Sequence, residues 1–125
     1  MVFIIASQKL YGQGKYAQAI AMYTTAAEIT ISHPDWEASN MIKEELAMLL
    51  SNRSAAHAAS GDFVSALVDA DIVIQVKRPW SKGHFRKAKA LQGLGDHKEA
   101  KLALGLGLSF EPANQVSSYF VLWVG

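Results

Sequence analysis

Between Lys77 and Lys89 the chain carries six basic residues, Lys77, Arg78, Lys82, Arg86, Lys87 and Lys89, and no acidic one. Lys82, Arg86 and Lys89 stand at i, i+4 and i+7, the spacing that aligns side chains along one stripe of a helix. Ammonium and guanidinium groups held in this way form charge-assisted hydrogen bonds with carboxylates. A peptide ending in Asp offers two such groups, one on its main chain and one on its side chain. Asn52 lies in an earlier string, Leu50-Ser51-Asn52-Arg53-Ser54-Ala55-Ala56. Asn has poor helix propensity, so its place inside a helical pattern points to a role for its amide, such as orienting a peptide backbone. Ala55, Ala56 and Ala59 leave room nearby for a ligand backbone or a Val side chain. On spacing alone, the basic stripe fits a solvated charged face equally well.

Other chemistries find less support. The 125 residues carry 12 Lys and Arg against 11 Asp and Glu, a formal net charge of +1, and contain no Cys. Cysteine nucleophiles, disulfides and zinc-thiolate sites are excluded, and bulk charge gives no reason to expect nucleic-acid or membrane-surface binding. One basic run lacks the stripe across all repeats that RNA binding needs. His33, His57, His84 and His97 share no metal-ligand spacing, and no cofactor is expected. Glu44 with Glu45 and Asp69 with Asp71 read as solvated surface pairs. No nucleophile, base and oxyanion set can be assembled, so the chain is not expected to be an enzyme. The apolar start, Met1 to Ala6, is too short for a signal-peptide core, and no stretch is long enough to span a bilayer. The expected compartment is the cytosol.

The elements that position the basic stripe are set by a repeat. The pattern Gly, any, ring, any, any, Ala occurs as Gly14, Tyr16, Ala19, then Gly61, Phe63, Ala66, then Gly95, His97, Ala100. The last two glycines are 34 residues apart and the first two 47, one period plus an insertion of 13. Pro34, Pro79 and Pro112 follow the blocks. Each unit reads as helix, Gly turn, helix, Pro turn, and a 34-residue period of paired helices is the signature of tetratricopeptide repeats. The fold expected is all-α: a right-handed superhelix of three helical hairpins, with repeats at about 1–34, 35–79 and 80–112, closed by a capping helix over 113–124. The helices are expected at about Val2–Gly12, Tyr16–Ile31, Trp36 or Ser39 to Ser60, Phe63–Val76, Trp80–Leu94 and His97–Ser109. The insertion reads as about two extra turns on the third helix, with Ser39 or Asn40 capping its start. Trp36, Trp80 and Trp123 read as packing residues near helix ends. The first helix of each hairpin lines the concave face, so Asn52 and the Lys82 stripe belong there.

Ser-Asn-Arg-Ser-Ala-Ala (51–56) and Trp-Ser-Lys-Gly-His-Phe-Arg-Lys-Ala (80–88) resemble the tetratricopeptide domains of cochaperones that grip the free C-terminal tails of cytosolic 70- and 90-kDa heat-shock proteins. The resemblance places Asn52, Lys82 and Arg86 on three positions of a two-carboxylate clamp. The two remaining positions, Lys and Asn in that family, fall on Ile4 and Gln8. Gln8 keeps a hydrogen-bond donor and Ile4 has none, so the implied clamp is partial. A wider span, including His-Pro-Asp-Trp-Glu (33–37) and Lys-Arg-Pro-Trp-Ser-Lys-Gly (77–83), resembles the cytosolic tetratricopeptide subunits of the fungal post-translational Sec translocation complex of the endoplasmic reticulum. That resemblance implies a peripheral position on the cytosolic face of the membrane, with no direct membrane insertion. It also implies a chain representing only the repeat domain, with membrane-anchored Sec partners bound through regions outside it. The apolar run Tyr119 to Val124 fits a cap, a partner contact or an aggregation-prone segment, and the cap is the expectation. The rival reading is an assembly scaffold without a working clamp, which binds through the convex face or the capping helix.

Overall fold

The computed structural model describes residues 2–111, with side chains from residue 4 onward. The capping helix expected over 113–124, Trp123 and the apolar run from Tyr119 lie outside the described residues. Six helices follow one another: α1 Val2–Gly12, α2 Tyr16–Ile31, α3 Asn40–Ala59, α4 Phe63–Val76, α5 Ser81–Gly93 and α6 His97–Ser109. There is no strand among the described residues.

Small residues and tight turns explain the pairing. Ala19, Ala66 and Ala100 are at most 1% exposed, each taking the spot where a second helix lies closest to its partner. Gly14, Gly61 and Gly95 turn the chain with φ of 77°, 92° and 85°, a left-handed conformation that costs a side chain but not glycine. In two hairpins an Asp follows and caps the next helix. Asp62 accepts from the Ser65 amide at 3.1 Å, and Asp96 from the Glu99 amide at 3.3 Å. Helices pack as three antiparallel pairs, α1 with α2, α3 with α4 and α5 with α6, and α2 to α3 and α4 to α5 join the pairs. α3 also touches α1 and α5, so the first helices of the hairpins lie side by side as one wall of a helical-repeat superhelix.

The insertion divides between helix and loop. α3 runs 20 residues against 13 in α5, and the segment before it forms a series of turns. Ser39 is its N-cap and accepts from the Ile42 amide at 3.3 Å, so the expected start at Trp36 gives way to Asn40. Trp36 instead packs, as Trp80 does, against the core cluster that includes Leu46, Ala47, Leu50 and Val73.

One carboxylate departs from expectation. Asp69 is not a solvated surface group; it is 2% exposed. Arg53 donates to both its oxygens, Nη2 to Oδ1 at 2.6 Å and Nε to Oδ2 at 2.8 Å, and donates through Nη1 to Thr24 Oγ1 at 3.0 Å. The planar guanidinium thus ties α2, α3 and α4 together, and the Asp69 bond holds it more firmly protonated than usual. Asp71 and Glu44 do reach the surface, where Lys87 and Lys77 pair with them at 3.1 and 3.3 Å.

Candidate functional site on the concave face

Helical spacing assembles the site. On α3, residues 48, 52, 55 and 59 share a stripe, as do 82, 86 and 89 on α5 and 4, 8 and 11 on α1. Where the three stripes meet lies a cavity of about 170 Å³ lined by Gln8, Tyr11, Tyr23, Asn52, Ala55 and Arg86. Three of the four main peptide-binding candidates, Gln8, Asn52 and Arg86, therefore share one wall of space. The fourth, Lys82, sits one turn before Arg86 and lies outside the lining of that cavity.

Asn52 Nδ2 is buried and has no hydrogen-bond partner among the described residues. A buried donor left without an acceptor is costly, so such atoms are rare in a fold and draw attention to what else could satisfy them. Arg86 Nε donates to Ser51 Oγ at 3.3 Å, which steadies the guanidinium along α3. Lys82 has no carboxylate partner among the described residues and stands 5.9 Å from the centroid of the Trp80 ring. Burial, then repulsion from Arg86, hold its ammonium below the ordinary pKa of 10.5. An anion beside it removes both penalties.

Tyr11 and Tyr23, which the sequence analysis gave no binding role, complete the lining. Tyr23 is 2% exposed and packs in the core with Ala19, Ala26, Leu49 and Ala56. It also lines the cavity near Arg86. Burial raises its pKa above 10.0, Tyr11 pushes the same way and Arg86 opposes them, which keeps Tyr23 a hydroxyl donor at neutral pH. Its helical spacing with Ala19, Ala26 and Ala27 marks Tyr23 as a core position of α2, and nothing in that spacing separates the core duty from the second.

Two further placements matter. Ala56 is a correction. It is fully buried in the α1–α3 core cluster, because it points a helical step of about 100° away from Ala55, so it does not offer room to a ligand. Ile4 is 6% exposed in the same cluster, so the position where the resembling family has a clamp lysine belongs to the core.

The groove continues on both sides of Asn52. Toward the end of α3 a cavity of about 370 Å³ is lined by Tyr11, Ser54, Ala55, Ala58, Ala59, Phe63, Arg86 and Lys89, which places second-tier candidates Ala55, Ala59 and Lys89 in one trough. Toward the start of α3 a cavity of about 580 Å³ is lined by Met41, Glu44, Glu45, Met48, Lys77 and Trp80. The insertion builds that second part, and the sequence reading assigned it no binding role. No group of three or more His, Asp or Glu suited to a metal occurs among the described residues. None of the described helices is long and apolar enough to cross a membrane.

No protein-family profile matches the chain. Over 117 residues it is 30% identical to the ER protein translocation subcomplex subunit sec67 of Schizosaccharomyces pombe, a match covering 94% of the chain and 61% of that protein. It is 41% identical over 68 residues to the Hsp70-Hsp90 organizing protein of Triticum aestivum, covering 54% of the chain and 12% of that protein. The chain thus spans less than two thirds of the length of these relatives. Among solved structures it superposes on the first tetratricopeptide domain of Spaghetti (RPAP3) bound to the HSP90 peptide SRMEEVD, with a TM-score of 0.73, 23% identity, and coverage of 99% and 92% of the two chains. With the 34-residue repeat, the three helical pairs and these likenesses, the chain is a tetratricopeptide-repeat domain.

Proposed function

We propose that this domain binds the acidic, free C-terminal tail of a cytosolic Hsp70-type chaperone in its concave groove, with tails of the 90-kDa class sharing the same chemistry. The observation that carries the reading is the convergence of Gln8, Asn52 and Arg86 on one small cavity, with a spare amide donor at its wall and Lys82 one turn away. The terminal carboxylate accepts from the Asn52 and Gln8 amides. The Asp side chain pairs with the cations of α5, and the peptide body lies over the alanine trough. Charge-assisted bonds in a partly desolvated groove supply both affinity and the preference for a chain end. The likeness to a translocation subunit and to a chaperone-organizing protein supports a recruiting role at the cytosolic face of the endoplasmic reticulum. Membrane-anchored Sec subunits would then be held by regions outside this chain.

Calorimetric titration with the C-terminal peptide of a cytosolic Hsp70-type chaperone, and with SRMEEVD for the 90-kDa class, each as free acid and as C-terminal amide, tests the proposal. The free acid is expected to bind, the amide to bind far more weakly, and Arg86→Glu to cost about 2–5 kcal/mol of affinity. Equal binding of acid and amide, or no binding of the acid at millimolar concentration, refutes it. The burial of Ile4 in the core favours a second reading, an assembly scaffold with an idle groove. Val64 and Val68 on α4 and Leu102 on α6, 54–61% exposed, give that scaffold an apolar convex surface. A partner interaction that survives Arg86→Glu and is lost in Val64→Glu points to the scaffold.

A further inference from the structure

We propose that Lys89 reads an acidic side chain about three residues upstream of the peptide's terminal residue, and so selects among acidic tails. The inference rests on the chain-end reading above and adds direction and register to it.

Direction follows from the chemistry on the two sides of Asn52. The cavity toward the start of α3 carries Glu44 and Glu45 at its rim, and Lys77 there is already paired with Glu44 at 3.3 Å. An acidic chain continuing that way meets like charge. Toward the end of α3 the lining is neutral and small, Ala55, Ala58 and Ala59 between the rings of Tyr11 and Phe63, and its two charges, Arg86 and Lys89, are positive. The tail therefore ends beside Asn52 and Lys82 and its preceding residues run over the alanines toward Lys89.

Register follows from helix geometry. Lys82 and Lys89 are seven residues apart on one face of α5, about 10 Å at the α-helical rise. An extended peptide advances about 3.3 Å per residue, so Lys89 lies opposite a side chain about three positions before the one held by Lys82. Lys89 is exposed and has no carboxylate partner among the described residues, whereas Lys77 and Lys87 each have one. Every other group lining the trough besides Arg86 is uncharged, so selection at that register falls to this ammonium.

The test uses the complete chain and four peptides: SRMEEVD, SRMQEVD with the glutamate three before the end neutralised, SRMEQVD with its neighbour neutralised, and SRMKEVD. The wild-type domain is expected to bind SRMQEVD about threefold more weakly than SRMEEVD, the scale of one exposed ion pair, and SRMEQVD less affected. Lys89→Gln is expected to erase the difference between SRMEEVD and SRMQEVD, and Lys89→Glu to prefer SRMKEVD. Discrimination should shrink as salt is raised. Wild-type binding that depends on the free carboxylate yet ignores the SRMQEVD change overturns this inference alone. So does discrimination that persists in Lys89→Gln. Failure of SRMEEVD itself to bind overturns the chain-end reading and this inference with it.

Discussion

Replacing Asn52 by Ala separates a binding residue from a structural one, because the two roles predict opposite signs. Asn52 Nδ2 is buried with no partner among the described residues, so in the unliganded domain the amide contributes an uncompensated desolvation. Such a group costs about 1–3 kcal/mol, and Ala gains a further ~0.5 kcal/mol of helix propensity over Asn. Lost contacts around a half-buried side chain offset part of this. The variant is therefore expected to be as stable as the wild type or more so, by up to about 2 kcal/mol. Binding moves the other way. A hydrogen bond to a charged acceptor contributes about 1.5–3 kcal/mol, so the free-acid peptide should bind roughly 10- to 150-fold more weakly. Urea unfolding and calorimetry on the same preparation give both numbers. An Asn52→Ala domain that loses more than about 1 kcal/mol of stability while binding the peptide normally refutes the reasoning, because the amide is then a structural group with a partner of its own.

Other outcomes follow from the same structure. Asp69→Asn breaks the two-pronged contact with Arg53 and should destabilise the fold by about 3 kcal/mol, the lower end of the range for a buried pair because Arg53 retains 20% exposure; urea unfolding measures it, and a change within error refutes it. Gly93→Ala places a Cβ 2.2 Å from the Phe63 ring, so it should cost about 1–3 kcal/mol, with Phe63→Leu recovering part of the loss; an unchanged midpoint counts against the packing. For Lys82 the folded pKa lies below the 10.5 of the unfolded chain. Between those values the unfolded chain holds more protons, so native stability rises with pH across the window. A bound carboxylate restores the proton, so peptide affinity falls as pH rises through the same window. Lys82→Arg should carry full affinity to higher pH, and an identical pH profile for both proteins counts against a role for Lys82.

The backbone was largely legible because turn chemistry and packing both repeat. Gly, ring and Ala recur where a left-handed turn and a close helix crossing need them, and four helices, α1, α2, α4 and α6, begin and end at the expected residues. The start of α3 was harder to see, since nothing breaks the helical pattern between Trp36 and Ser39; the Ser39 cap decides it. Charge was legible where it stays at the surface, as at Asp71 and Glu44, and not where a partner draws it into the core. Asp69 looked like surface because its partner, Arg53, is sixteen residues away on another helix. Ala56 and Ala55 are indistinguishable by type, and only the helix's rotation sends one to the core and the other to the groove. The opposing wall was least visible. Ile4 and Gln8 were located by resemblance alone, and the double duty of Tyr23, core ring and part of the cavity wall, has no pattern in one sequence.

Two irregularities of this molecule fall together in the groove, and their placement argues for function more strongly than either alone. Elsewhere the common rules mostly hold: buried Asp69 is paired, His84, 1% exposed, bonds the Arg78 carbonyl at 2.8 Å, and Ser54 donates to the Ala66 carbonyl at 2.8 Å, while Glu111 Oε2 is a further buried atom without a partner among the described residues. Around Asn52 they lapse together. A buried amide donor has no partner among the described residues, and two cations stand a turn apart with one partly desolvated beside the other. Each feature costs stability, and a fold selected for stability alone has simple remedies: Ala at 52, an acid beside 82. One event removes both costs, the arrival of a group that accepts hydrogen bonds and carries negative charge. With Lys82, Arg86 and Lys89 on α5 and the uncharged Gln8 and Tyr11 lining the cavity from α1, that group presents its charge toward α5. An acidic chain end lying along the α3 stripe does so.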